Sequence, residues 1–194
     1  MKRVIIVHGW GGSPNQDWLQ WLKSELESRE FKVEVPEMPD TMKPKIEVWV
    51  SKLSEVVGTP DKDTYLVGHS IGCQTVLRYI QTLPEGAKVG GAVCVAGWFN
   101  LTDETWDEEY NHEIGDPWIE TPMDYEKIKS HTDKIVDIVS DNDPYVPLSD
   151  TDIFKEKLGA KVIIIKEQGH ISGEDGVTEL PIALEELLRM SQNN

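Results

Sequence analysis

The stretch TYLVGHSIGCQTVLRYI, residues 64–80, sets a serine between two glycines where an apolar, strand-favouring run gives way to a helical pattern. Gly68-His69-Ser70-Ile71-Gly72 fits Gly-x-Ser-x-Gly, a short pattern that gains weight from its place directly after a strand and directly before a helix. So sharp a turn holds its central residue in a strained backbone conformation, and side chains on the flanking positions would collide. The Ser70 hydroxyl is therefore expected above a sheet, at the N-terminal end of the following helix.

Outward from this unit the same alternation repeats. The runs RVIIVHG, KVEVPEMP, TYLVGHS, VGGAVCVAG, KIVDIVSDND and KVIIIKEQGH are six candidate strands. Their lack of polar alternation suits strands covered on both faces, and helical patterns between them are what right-handed parallel crossovers require. Leu19, Leu22 and Leu26 after Asp17 share a face, as do Ile46, Trp49, Val50 and Leu53; residues 71–81 and 180–190 complete the clear helices. Trp49 reads as core. These elements predict an α/β fold: a six-stranded, mostly parallel sheet with helices on both faces, in one domain spanning residues 1–194.

Residues 98–123, WFNLTDETWDEEYNHEIGDPWIETPM, break the rhythm, with Trp98, Phe99, Trp106, Tyr110 and Trp118 scattered among acids without a sustained period. Such a segment reads as a long loop. Either it walls a substrate pocket, through Trp98, Phe99 and Trp118, or it is a surface excursion whose aromatics tuck onto the body.

The totals narrow the partners. Nineteen Lys and Arg against 35 Asp and Glu leave a net charge of −16, which repels polyanions, so neither nucleic acid nor an acidic membrane is expected to bind. With 39% hydrophobic and 28% charged residues the composition is that of an ordinary globular chain. No apolar run approaches the ~20 residues that span a bilayer, and MKRVIIVHGWGG reads as a first strand rather than a signal peptide. Cys73 and Cys94 lack CxxC spacing and read as free thiols of a cytoplasmic protein. Nucleotide binding is disfavoured: counted from Gly9, Pro14 stands where GxGxxG needs its last glycine, and no Gly-Lys-Ser/Thr follows.

A serine hydroxyl becomes a useful nucleophile only with a base in reach and a third group to orient that base. Of the five histidines, His8 and His69 sit beside glycine turns, and the His69 ring is expected to point away from the Ser70 hydroxyl. His112 and His131 read as solvated surface residues. His170 lies in a Gly-His turn after the last strand, at the carboxyl edge where open parallel sheets gather their working groups. A histidine, with an ordinary pKa of ~6.5, can take a proton and give it back. In Ser140-Asp141-Asn142-Asp143-Pro144 two acids compete for the third place. Asp143, farther beyond the strand end, is preferred, and Asp141 is expected to cap its own turn. Negative charge on the substrate oxygen would meet the N–H of Ile71, at a helix start, and that of Trp10 in HGWGGSP.

With HGWGGSP, GHSIG, DPYVP and QGH in that order, the chain resembles the α/β-hydrolase superfamily. Within it the likeness is to the small, nearly capless serine hydrolases typified by retinoblastoma-binding protein nine and the YdeN proteins. It runs from Met1 to about Met190 and takes in MPD at residues 38–40, Trp49, and Pro117-Trp118 before YEKIK. The resemblance implies Ser70 as nucleophile, Asp143 as acid, His170 as base, a minimal lid, and neither metal nor organic cofactor. The animal member's Leu-x-Cys-x-Glu segment has no counterpart in VVGTPDKDTYLVG, so a retinoblastoma-type partner is not expected. The expected activity is cleavage of a small-molecule ester through an acyl-enzyme on Ser70. Amide or thioester cleavage by the same route, or a binding module without turnover, are the alternatives.

Overall fold

The six apolar runs lie side by side in the order β2-β1-β3-β4-β5-β6. In the computed structural model, which describes residues 1–106 and 109–192 apart from the side chains of Asp17, Glu109 and Tyr110, they are β1 (Arg3–Val7), β2 (Lys32–Glu34), β3 (Thr64–His69), β4 (Gly91–Val95), β5 (Ile135–Ser140) and β6 (Lys161–Ile165). Every pairing is parallel, so the sheet is wholly rather than mostly parallel. All six strands therefore deliver their carboxyl ends to one edge, and the sites expected at Ser70, Asp143 and His170 lie beyond it.

Residues alternate between two apolar layers. Val4, Ile6, Val67 and Val95 pack with Trp18, Leu22 and Leu26 of α1 (Asp17–Glu27) and Leu187 of α7 (Pro181–Gln192). Ile5, Val7, Leu66 and Cys94 face α2 (Ile46–Val57) and α3 (Ile71–Thr82). Burial on both faces explains why β1, β3, β4 and β5 carry so little polar alternation, whereas β6, at the sheet's edge, leaves Ile164 51% exposed despite its apolar run. β5 holds an exception, Asp137. Burial drives its carboxyl well above the usual range, against the lowering effect of the Gly97 backbone.

The segment over residues 98–123 is not the loop its sequence implied. It forms a 3₁₀ turn, Asp103–Trp106, and α4, Glu109–Glu120, and it leads to α5, Tyr125–His131. Trp98, Phe99 and Trp118 are 2%, 8% and 1% exposed, so they belong to the core rather than to an open wall. Phe99 packs on Phe154 of α6 (Asp150–Leu158) with ring centroids 4.8 Å apart. Trp118 meets Trp49 edge-on at 6.4 Å and donates its Nε1–H to Pro44 O at 3.1 Å.

Arg78 secures the segment's end. Its buried guanidinium donates to the carbonyls of Trp118 (2.7 Å), Thr121 (2.8 Å) and Pro122 (3.4 Å) and to Gln74 Oε1 (3.2 Å). The three carbonyl contacts are long-range, which is why no local period announced them. The Tyr110 side chain lies outside the described residues. Among them, no helix is long and apolar enough to cross a membrane.

Candidate active site

The elbow after β3 is built as its glycines require. Ser70 has φ 53° and ψ −122°, a conformation that costs a non-glycine residue about 1–3 kcal/mol and persists only where its surroundings impose it. Gly68 and Gly72 serve close approach. A Cβ on Gly68 would stand 2.5 Å from Cys73 N, and one on Gly72 would run into Val7 O and lie 2.8 Å from His8 O. Ser70 N donates to Val95 O at 2.9 Å and Ser70 O accepts from Cys73 N at 2.9 Å, so the turn is held on both sides.

Asp143 and His170 come from the exits of β5 and β6, which are laced together by four side chains. Asp141 Oδ1 accepts from Glu167 N (2.8 Å), Ser140 Oγ from Gln168 N (2.9 Å) and Asn142 Oδ1 from Gly169 N (2.9 Å). Asp143 Oδ2 accepts from His170 Nδ1 at 2.8 Å. Asp143 Oδ1 meanwhile accepts from Tyr145 N (2.9 Å) and Val146 N (3.1 Å). The turn is thus capped by Asp143. Asp141, expected to cap it, instead binds the neighbouring loop.

The Asp143 side chain is 1% exposed and that of His170 15%, so their contact is shielded from water on the acid's side. Donation through Nδ1 leaves the lone pair on Nε2. His170 stands between Gly169 (φ 54°) and Ile171 (φ 55°), and a β-branched residue at positive φ marks real strain.

Among the described residues the Ser70 hydroxyl makes no hydrogen bond. Such bonds commonly tighten only when substrate arrives. His69, the neighbour of Ser70 in the chain, nevertheless touches His170: its Nε2 donates to His170 O at 3.0 Å and its ring centroid lies 5.2 Å from that of His170. The expectation that the His69 ring turns away from the hydroxyl said nothing of this destination.

The loop after β1 closes the other side. A Cβ on Gly9 would lie 3.5 Å from Ser70 Cβ. His8 is buried, donates from Nδ1 to Gly9 O (2.9 Å) and accepts at Nε2 from Met38 N (3.3 Å). Gly9 O also accepts from Gly12 N at 3.1 Å. Across a trans peptide the next N–H points opposite to that carbonyl, so these bonds set the direction of the Trp10 N–H. The Ile71 N–H, in the first turn of α3, has no intrahelical acceptor.

Two histidines differ from expectation or stay apart. His131 is buried rather than solvated, with Nδ1 donating to Ala87 O at 2.8 Å, a structural tie behind β4. His112 is a surface residue stacked on Trp106 at 4.2 Å. Among the described residues no cluster of His, Cys, Asp or Glu is placed to hold a metal ion. An open concavity of about 940 Å³ along β2 is lined by Lys23, Glu37, Asp40 and Lys52 among others, and includes none of Ser70, Asp143 and His170.

Burial, and then the neighbouring His170, lower the pKa of His69 to about 4, against the pull of its bond to the His170 carbonyl and of Asp143 and Asp175. Unfolded, a histidine titrates near ~6.5. Between these values the unfolded chain binds the extra proton, so the stability linked to neutral His69 is complete above ~6.5 and is lost as pH falls toward 4. The loss is on the order of 3 kcal/mol. Urea midpoints at pH 7 and 4.5 should converge for His69→Gln relative to wild type; equal acid sensitivity in both proteins would contradict the assignment.

A wholly parallel sheet in this strand order, with a strained serine elbow after its third strand, defines the α/β-hydrolase class. Residues 4–189 match the serine hydrolase family model, and the chain belongs to that family of enzymes. It is 28% identical over 186 residues to YdeN of Bacillus subtilis, covering 96% of this chain and 94% of that one. The crystal structure of the ydeN gene product superposes with a TM-score of 0.89 over 98% of each chain. The serine hydrolase RBBP9 of Rattus norvegicus is 25% identical over 176 residues, 89% of each chain. Est1E of Butyrivibrio proteoclasticus, solved with ferulic acid bound, shares the fold at a TM-score of 0.74 and 14% identity, over 100% of this chain and 89% of its own. The chain is a hydrolase.

Proposed function

We propose that this hydrolase cleaves small carboxylic esters through a Ser70-His170-Asp143 triad. The observation that carries the reading is the 2.8 Å bond from His170 Nδ1 to a shielded Asp143 carboxylate, formed beside the strained serine turn. His170 Nε2 takes the Ser70 proton as Oγ attacks the ester carbonyl. Asp143 holds the tautomer and stabilises the imidazolium, and the imidazolium then protonates the departing alcohol. Water, deprotonated by His170, releases the acid from the acyl-enzyme and restores Ser70. The N–H groups of Ile71 and Trp10 receive the oxyanion; losing one such donor typically costs ~10²–10³ in turnover.

The exposed apolar groups nearest this arrangement replace the buried tryptophans as candidate pocket walls. Met42 accepts from Trp10 Nε1 through its carbonyl and is 59% exposed. Tyr145 meets His170 edge-on at 5.2 Å. Both cysteines are buried free thiols, which suits the reducing cytoplasm.

A fluorophosphonate should form one adduct per chain, mapped by peptide mass spectrometry to Ser70, and p-nitrophenyl acetate should be turned over. Amide and thioester substrates compete for the same acyl-enzyme and rank the substrate class. An adduct on another residue, or labelled Ser70 with no turnover of any of the three, would end the reading.

A further inference from the structure

We propose that His69 is a positioning residue for the hydrolytic reaction, holding the base loop onto the nucleophile's own turn through its hydrogen bond to the His170 carbonyl. This rests on the triad reading above. In the sheet β3 and β6 are separated by β4 and β5. Three strand spacings amount to ~14 Å, so residues 166–170 must run back across the sheet edge to bring His170 near Ser70.

The lacing by Ser140, Asp141, Asn142 and Asp143 ties that loop to β5, which covers only one of the three spacings. The remaining ties come from beyond β4. His69 Nε2 donates to His170 O at 3.0 Å, and Trp18 Nε1 donates to Ile171 O at 2.9 Å. They grip consecutive carbonyls in the stretch where Gly169 and Ile171 hold positive φ. Strain of that kind relaxes unless neighbours oppose it.

His69 is itself immobile. Trp18 packs edge-on against its ring at 5.8 Å, and a Cβ on Gly9 would come within 3.2 Å of its Nδ1. It directly precedes Ser70, so the nucleophile and the donor that anchors its base occupy one short rigid unit. The bond requires the proton on His69 Nε2, which a neutral ring supplies. Burial and the adjacent His170 keep that ring neutral when His170 takes the serine proton. His69 makes and breaks no bond; it acts through the placement of His170.

The experiment compares full-length wild type, His69→Leu and His69→Gln, the glutamine offering an amide N–H at a reach like that of Nε2. Removing the donor lets the base drift, and a misplacement of about 1 Å can cost ~10²-fold. His69→Leu should lower kcat for p-nitrophenyl acetate by ~10²-fold with KM changed less than about 3-fold, and slow fluorophosphonate labelling of Ser70 equally. His69→Gln should recover kcat to within about 10-fold of wild type. If His69→Leu does not fold by circular dichroism, His69→Asn, whose amide is too short for the same carbonyl, takes its place. Folded His69→Leu with wild-type kcat, or His69→Gln no better than the leucine or asparagine variant, overturns the inference. If wild type itself takes no label at Ser70, the triad reading has failed and this inference with it.

Discussion

On the proposed mechanism Ser70→Ala is expected to lower kcat for ester hydrolysis by on the order of 10⁴–10⁶-fold, because the acyl group would be carried by the hydroxyl that is removed. Stability should barely change, within about 0.5 kcal/mol. Among the described residues the hydroxyl makes no hydrogen bond that its removal would break. Alanine keeps a Cβ at φ 53°, so the turn strain is neither relieved nor increased. Residual catalysis would come from the Ile71 and Trp10 amides acting on a water-attacked carbonyl. Steady-state kinetics beside a thermal melt reads both quantities. A folded variant retaining more than about a hundredth of wild-type kcat would remove Ser70 from the mechanism.

The second large effect separates two acids that sit two residues apart. Asp143→Asn should lower kcat by ~10⁴-fold, while Asp141→Asn should cost less than ~10-fold. The Asp143 oxygens have different tasks, which makes asparagine a clean probe. Its remaining Oδ1 can still accept from Tyr145 N and Val146 N, so the turn survives. Its amide, placed where Oδ2 met His170 Nδ1, donates instead of accepts, turning the imidazole to the wrong tautomer and withdrawing the negative charge beside the imidazolium. In Asp141→Asn an acceptor for Glu167 N remains, so the lacing holds. A large loss in Asp141→Asn with Asp143→Asn near wild type would reverse the assignment. Loss in both would point to the lacing rather than to charge.

What was hidden from sequence reading shares one property, long range. Trp98, Phe99 and Trp118 looked like a pocket wall because their spacing follows no helix or strand period. Trp118 is placed by Trp49 and the carbonyl clamp of Arg78, and Phe99 by Phe154, all distant along the chain. His131 looked like a surface histidine until the stretch before β4 covered it.

The sequence by itself determined the six strands, the α/β class and the Ser70 turn. Apolar runs, and a glycine at 68 forced by the backbone of Gly72 and Cys73, are requirements felt within a few residues. It also pointed to His170 and preferred Asp143, because position after a parallel strand selects the edge on which a group emerges. Only the tertiary structure decided which acid oxygen meets the imidazole, 27 positions away, and where the His69 ring ends, 101 positions from its partner. Those contacts depend on loops from non-adjacent strands converging over one sheet edge, and no local pattern of residues encodes the angle at which they meet.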